Sequence, residues 1–132
     1  MRIYVTHCSK EKSLAAKTSG ELLPPNELYT EPGIQKFMRA CKERGVSWAI
    51  LSDNYGVFLP SERRAYYEKP PATVTAEEEA AIIVQFDECL AAYAEIWFYV
   101  RTETFHPFYQ RVLNSSGLAA RVHQFQDVEE IR

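Results

Sequence analysis

Glu95–Val100 reads E-I-W-F-Y-V, an almost unbroken apolar run of strand length. A strand apolar on both faces is buried on both faces, which is the signature of an interior strand in a mostly parallel sheet. Three shorter runs share its β-branched and aromatic character: Arg2–Thr6 (R-I-Y-V-T), Val46–Leu51 (V-S-W-A-I-L) and Arg121–Phe125 (R-V-H-Q-F). The last alternates polar and apolar residues, as an edge strand does. Between them lie segments of helical period. Glu31-Pro32-Gly33 opens a helix that runs to Arg44, with Ile34, Phe37, Met38 and Cys41 on one face, Thr30 as N-cap and Gly45 as C-cap. Ala76–Ala94 carries Ile83, Phe86, Leu90 and Tyr93, and opens with a capping box from Thr75 to Glu78. A short helix begins at Pro107 and stops at Asn114-Ser115-Ser116-Gly117. The tail Gln126–Arg132 reads as peripheral.

Strand alternating with helix predicts an α/β domain: a three-layer α/β/α arrangement around a small, mostly parallel four-stranded sheet. At 132 residues the chain reads as one domain, residues 1–132. Charged residues make up 25% and no apolar run nears the ~20 residues of a membrane helix, so the expectation is a cytoplasmic protein without a membrane partner. Cys8, Cys41 and Cys89 are odd in number and widely spaced, which argues against a disulfide framework; no Cys/His group has zinc spacing, and neither metal nor cofactor is expected. Cys41 and Cys89 read as small core residues.

Right-handed crossovers place the C-terminal ends of parallel strands on one edge, where α/β sheets bind ligands. Three loops leave from that edge, at His7, Ser52 and Arg101. The first, His7–Thr30, is polar and long, with Pro24-Pro25 set against helix. The second, Ser52–Thr73, holds Tyr55, Phe58, Tyr66 and Tyr67, too many aromatics for a free linker. Each candidate has two readings. Lys10 and Lys12 are exposed loop lysines or a phosphate contact, and Lys12 is a nucleophile if burial depresses its pKa. Cys8 is a packing residue before it is a nucleophile, since an extended chain points His7 to the other side. Asp53 and Asn54 form an Asx-turn or read a base or ribose. Tyr55 packs or stacks on a base; Arg63 or Arg64 is a solvated turn residue or binds phosphate; His106 is an N-cap neighbour or an acid/base group. Gly56 allows a tight turn or close backbone approach. Residues 1–70 hold 11 Lys/Arg against 8 Asp/Glu, and residues 71–132 hold 4 against 10, so the loop-bearing half is basic and suits an anionic ligand.

Several elements occur in an order that resembles a family of small domains of unassigned activity in the uracil-DNA-glycosylase-like α/β fold group. They are Cys8, Ser9 and Lys12 after the first strand; Leu28-Tyr29; Trp48, Ile50, Leu51, Ser52, Tyr55 and Gly56; then Pro60 and Tyr66 or Tyr67. The resemblance spans roughly residues 1–70. Asp53 stands where that family carries a small Ala, and Val57 where it carries Leu. A more distant similarity is to the catalytic domain of archaeosine synthase, whose lysine acts on a 7-deazaguanine base in transfer RNA; Lys12 keeps its spacing from Cys8. The resemblance implies a pocket for a nucleobase, nucleoside, nucleotide or nucleic acid. Lys12 would be its catalytic group, and Cys8, Ser9, Ser52, Asp53, Tyr55, Gly56 and Arg63 its substrate-binding residues. The alternative is a non-catalytic nucleotide-binding or protein-interaction module. Whether the chain is an enzyme and what its oligomeric state is stay open at this level.

Overall fold

The computed structural model describes all 132 residues. Its sheet has five strands rather than four: β1 (Arg2–His7), β2 (Ser47–Ser52), β3 (Gly56–Phe58), β4 (Glu95–Tyr99) and β5 (Val122–Phe125), in the spatial order β3-β2-β1-β4-β5. Strands β2, β1, β4 and β5 are parallel, and β3 pairs antiparallel with β2. The four expected strands are present, and β4 is interior as its apolar run requires. The most central strand is β1, with Ile3, Tyr4, Val5 and Thr6 all at most 1% exposed.

The fifth strand lies inside what the sequence suggests is a long loop. Ser52-Asp53-Asn54-Tyr55 turns the chain, and Gly56 brings it back against Ser52. Gly56 has φ +74°, where a side chain is strained, and a Cβ on it would lie 2.4 Å from the Gln85 Oε1. That approach has a reason. The Gln85 amide accepts from Val57 N at 2.7 Å and donates to Val57 O at 3.0 Å, so a side chain from the next helix completes the outer edge of β3.

Five helices flank the sheet: α1 (Leu14–Ser19), α2 (Pro25–Leu28), α3 (Pro32–Arg44), α4 (Ala76–Leu90) and α5 (Pro107–Ser115). The first two lie in the expected irregular segment. Pro25 occupies the first position of α2, where its missing N–H costs no hydrogen bond, so the proline pair starts a helical turn instead of barring one. The N-cap of α3 is Glu31, not Thr30; its carboxylate accepts from Gly33 N and Ile34 N. The capping box of Thr75 and Glu78 forms as the sequence predicts. Helix α4 ends at Leu90, and its deepest positions are Ile82, Phe86 and Leu90, one residue off the expected Ile83; Cys89 is exposed rather than core, while Cys41 is fully buried. No helix is long and apolar enough to cross a membrane.

Helix α3 covers the face carrying Tyr99, whose ring stacks on Phe37, and α5 covers the face carrying His7 and Phe98, against which Tyr109 packs. Helices thus lie on both faces of the sheet. The tail is not peripheral: Val128 and Ile131 are buried, and Arg132 N donates to the Tyr4 hydroxyl at 3.0 Å. The chain crosses from β1 over one face to β2 and from β4 over the other face to β5. The connections therefore diverge at the C-terminal ends of β1 and β4, the topological position of a ligand crevice.

Gly56→Ala is expected to lower stability by about 2 kcal/mol or more, from the left-handed backbone and the displaced Gln85 amide. Chemical denaturation measures it; a change within ~0.5 kcal/mol would remove the close-approach account.

Candidate functional site

The three expected loops meet at Cys8. Its backbone N–H donates to Leu51 O at 3.0 Å, which ties the end of β1 to the end of β2. Its thiol lies 3.5 Å from Asp53 Oδ1 and 3.2 Å from the Tyr109 hydroxyl, so residues from the β2 turn and from α5 share one sulfur. Burial raises the thiol pKa, and the neighbouring Asp53 raises it further. A protonated, buried thiol with no histidine on it is a packing and hydrogen-bonding group rather than an activated nucleophile.

His7 stands apart from the thiol, as strand geometry predicts. It is fully buried against Phe98, Phe105 and Tyr109. The Arg101 guanidinium donates to His7 Nδ1 at 3.0 Å, so the ring carries its proton on Nε2, which has no partner. Arg101 also donates to the carbonyls of His7 and Cys8 and pairs with Glu31. Burial and the Arg101 charge together push the His7 pKa down to about 3.

Lys12 is 8% exposed. No carboxylate lies within ion-pair distance; its Nζ donates to Lys10 O at 3.4 Å and sits 4.3 Å from the centroid of the Tyr67 ring. Burial lowers its pKa, and the proximity of Cys8 and Asp53 works against that shift. The segment is held in place by a bridge from Lys12 to Tyr29 and by Ser9, whose hydroxyl donates to Glu11 O at 2.9 Å.

Ser52 is fully buried at the end of β2. Its Oγ accepts from Asn54 N and Tyr55 N, each at 3.0 Å, which is the local reason for the turn, and it lies 2.8 Å from the Tyr67 hydroxyl. The Tyr67 hydroxyl is in turn 2.8 Å from that of Tyr29. Asp53 is 2% exposed; burial raises its carboxyl pKa, while the Cys8 hydrogen bond and Lys12 oppose the rise. Asp53, Asn54 and Tyr55 also line a cleft of about 240 Å³ whose other wall is α4 at Glu78, Ala81, Ile82 and Gln85.

The structure thus brings together Cys8, Lys12, Ser52 and Asp53, with Tyr55 on the adjoining wall. Tyr55 is engaged at its tip, where its hydroxyl donates to Ala65 O at 2.8 Å. Ser9 and Gly56 hold the two loops in shape. Arg63 is exposed and makes no contact with the cluster; Arg64 instead lies over the Tyr55 ring at 5.3 Å. Asn54 and Lys10 are exposed, and His106 N-caps α5 by accepting from Phe108 N at 3.0 Å. Sequence reasoning missed Tyr29, Tyr67, Tyr109 and Arg101 as members of the site. A usable signal was there for one of them: an arginine directly after a buried strand end needs a partner at that edge. No group of three or more His, Cys, Asp or Glu side chains could hold a metal ion. No family model, curated protein or solved structure matches the chain.

In the unfolded chain a histidine titrates near 6.5. Because the folded value is lower, the unfolded state takes up the proton first on acidification. The stability due to neutral His7 is therefore complete above pH ~6.5 and falls by up to about 1.4 kcal/mol per unit as pH drops toward 3. His7→Gln, which keeps an acceptor for Arg101, is expected to flatten stability against pH between pH 6 and 4 by about one proton. Parallel curves for the two proteins would rule this out.

Proposed function

We propose that the protein acts on a nucleobase, nucleoside or nucleic acid in a pocket at the C-terminal edge of its sheet, with Lys12 as the catalytic group. The observation that carries the reading is Lys12 itself, a residue only 8% exposed whose ammonium has no carboxylate in ion-pair distance. Burying an unpaired charge costs several kcal/mol, and a fold gains nothing from it that a leucine or methionine would not supply. Such a group is held for what it does to a ligand. Burial also shifts it toward the neutral amine, the nucleophilic form.

The substrate class rests on three further supports. The Tyr67 ring beside Lys12, and Tyr55 packed edge-on against Tyr67, suit a planar ring. The site lies where connections diverge at strand C-terminal ends. The order of motifs in residues 1–70 is similar to that of the uracil-DNA-glycosylase-like domains, and we infer that arrangement for this sheet. The reaction is placed on Lys12 as an electrostatic or nucleophilic group, with Ser52, Asp53 and Tyr55 positioning the ring.

Lys12→Met separates this from a structural role, because methionine keeps the packing over Tyr67 and removes only the charge. The variant is expected to be as stable as wild type or more so, by up to about 2 kcal/mol, and to lose turnover. A thermal-shift panel of bases, 7-deazapurines, nucleosides, nucleotides and short single strands identifies the ligand, since binding to the native state raises its midpoint. Loss of more than ~2 kcal/mol in the variant would make Lys12 structural. A ligand bound by wild type and returned unchanged would make the site a binding pocket without chemistry. If no member of the panel binds, the nucleobase reading falls.

A further inference from the structure

The cleft between the β2–β3 turn and α4 adjoins the Lys12 cluster through Asp53, but Lys12 does not line it. At about 240 Å³ it falls below the ~300 Å³ at which pockets for drug-sized molecules begin, so what fits it is small. Its charged side chains are two carboxylates, Asp53 and Glu78; no lysine, arginine or histidine faces an occupant. Ala81 and Ile82 of α4 supply an apolar wall. An anion would find no counter-charge there, and a purely apolar molecule would cover a carboxylate without pairing it.

The two carboxylates differ in what already holds them. Glu78 accepts from Thr75 N at 2.9 Å and from the Lys69 ammonium at 2.7 Å. Asp53 is only 2% exposed, yet its Oδ1 takes one weak donor, the Cys8 thiol at 3.5 Å, and the only other group bonded to the carboxylate is the residue's own backbone amide. An ionised carboxylate offers about four lone-pair sites. No lysine or arginine lies within ion-pair distance of it. Burial raises its pKa, and the Cys8 bond, Lys12 and Lys69 oppose that rise without reversing it. Oδ2 is not one of the polar atoms sealed in the interior without a partner, so it opens on the cleft that Asp53 lines. A buried carboxylate with one oxygen free toward a cleft lacks a cation on that side.

We propose that the cleft binds a small primary alkylammonium, whose charged head donates to Asp53 Oδ2 while its stem lies along Ala81 and Ile82. This site is independent of the reaction proposed for Lys12. The chain carries the same pairing at the rim, where the Lys69 ammonium sits on Glu78. An ammonium is a compact point charge with three donors, which suits a recessed oxygen. The Tyr55 ring on the adjoining wall attracts a cation as well. An alcohol of the same shape would donate one hydrogen bond and leave the buried charge uncompensated. An inorganic ion would gain nothing from the apolar wall.

An NMR titration of the whole protein with n-butylammonium chloride tests this, with 1-butanol as the neutral isostere and sodium chloride as the ionic control. Butylammonium is expected to shift the Ala81 and Ile82 signals saturably and to bind about tenfold or more tightly than butanol. Asp53→Asn keeps the shape of the side chain and removes its charge, so it should abolish that preference. Ala81→Phe fills the cleft from an exposed helix position and leaves Asp53 in place; it should weaken binding by about tenfold or more, and it decides the matter if Asp53→Asn does not fold. Scattered shifts that do not saturate, butanol or sodium ion binding as well as butylammonium, or undiminished binding by a folded variant overturns the inference. Neither a nucleoside nor a Lys12 variant enters this experiment, so that result leaves the nucleobase reading standing. Failure of every nucleoside to bind would likewise leave the ammonium site standing.

Discussion

The Arg101 guanidinium holds the C-terminal edge of the sheet together. It lies two residues past the end of β4, is almost fully buried, and reaches across the C-terminal end of the sheet to the carbonyls of His7 and Cys8. Its counter-charge is Glu31, which also caps α3, so one carboxylate fixes both the helix entry and the arginine. The helix N-terminus favours that negative charge, and the arginine satisfies the oxygens that the backbone leaves over. Gly33 is required beside them, since a Cβ there would lie 2.8 Å from Glu31 Oε1 and 3.3 Å from Arg101 Cδ. Truncating one member of such a pair leaves the other charge buried alone, at a cost of about 3–5 kcal/mol. The position of Cys8, and through it of the cluster, depends on this pair.

Around that anchor the edge carries an unusual load of buried polar groups: His7, Ser9, Lys12, Ser52 and Asp53 are all under 9% exposed. The core elsewhere is aliphatic and aromatic, with Ile3, Val5, Ile50, Leu51, Ile96 and Phe98 nearly or wholly inaccessible. The two parts of the molecule therefore follow different rules. The aliphatic sheet supplies stability by burying area, and the edge gives some of it back by desolvating charges. Local departure from the most stable arrangement, supported by an over-determined frame, is how folds accommodate sites.

The sequence carries the frame more plainly than the site. Strands and long helices announce themselves through period and caps: the Thr75–Glu78 box and the Glu95–Val100 run each form where expected. Local rules fail where a long-range contact decides. Gly56–Phe58 becomes a strand because β2 offers an edge and Gln85, 28 residues after Val57, completes the other side. The tail docks because Tyr4, 128 residues earlier, offers a hydroxyl to Arg132. Cys8, Ser52 and Asp53 are legible because the topology places strand ends together. Tyr29, Tyr67 and Tyr109 are not, since nothing local distinguishes a tyrosine whose hydroxyl enters a network from one that only packs. Arg63 stands one residue from Arg64, and only the path of the extended segment decides which of them turns inward.

Asp53 is the residue through which these points meet. An alanine there would leave the Cys8 thiol without an acceptor and the Tyr109–Cys8 chain without an end. The carboxylate cannot serve as a base for Cys8 in the manner of a histidine, because burial and its own negative charge hold the thiol protonated. Nor does it neutralise Lys12 as a direct partner, since no ion pair forms between them. What remains is its capacity to accept, in a position that borders the cleft and costs free energy to maintain.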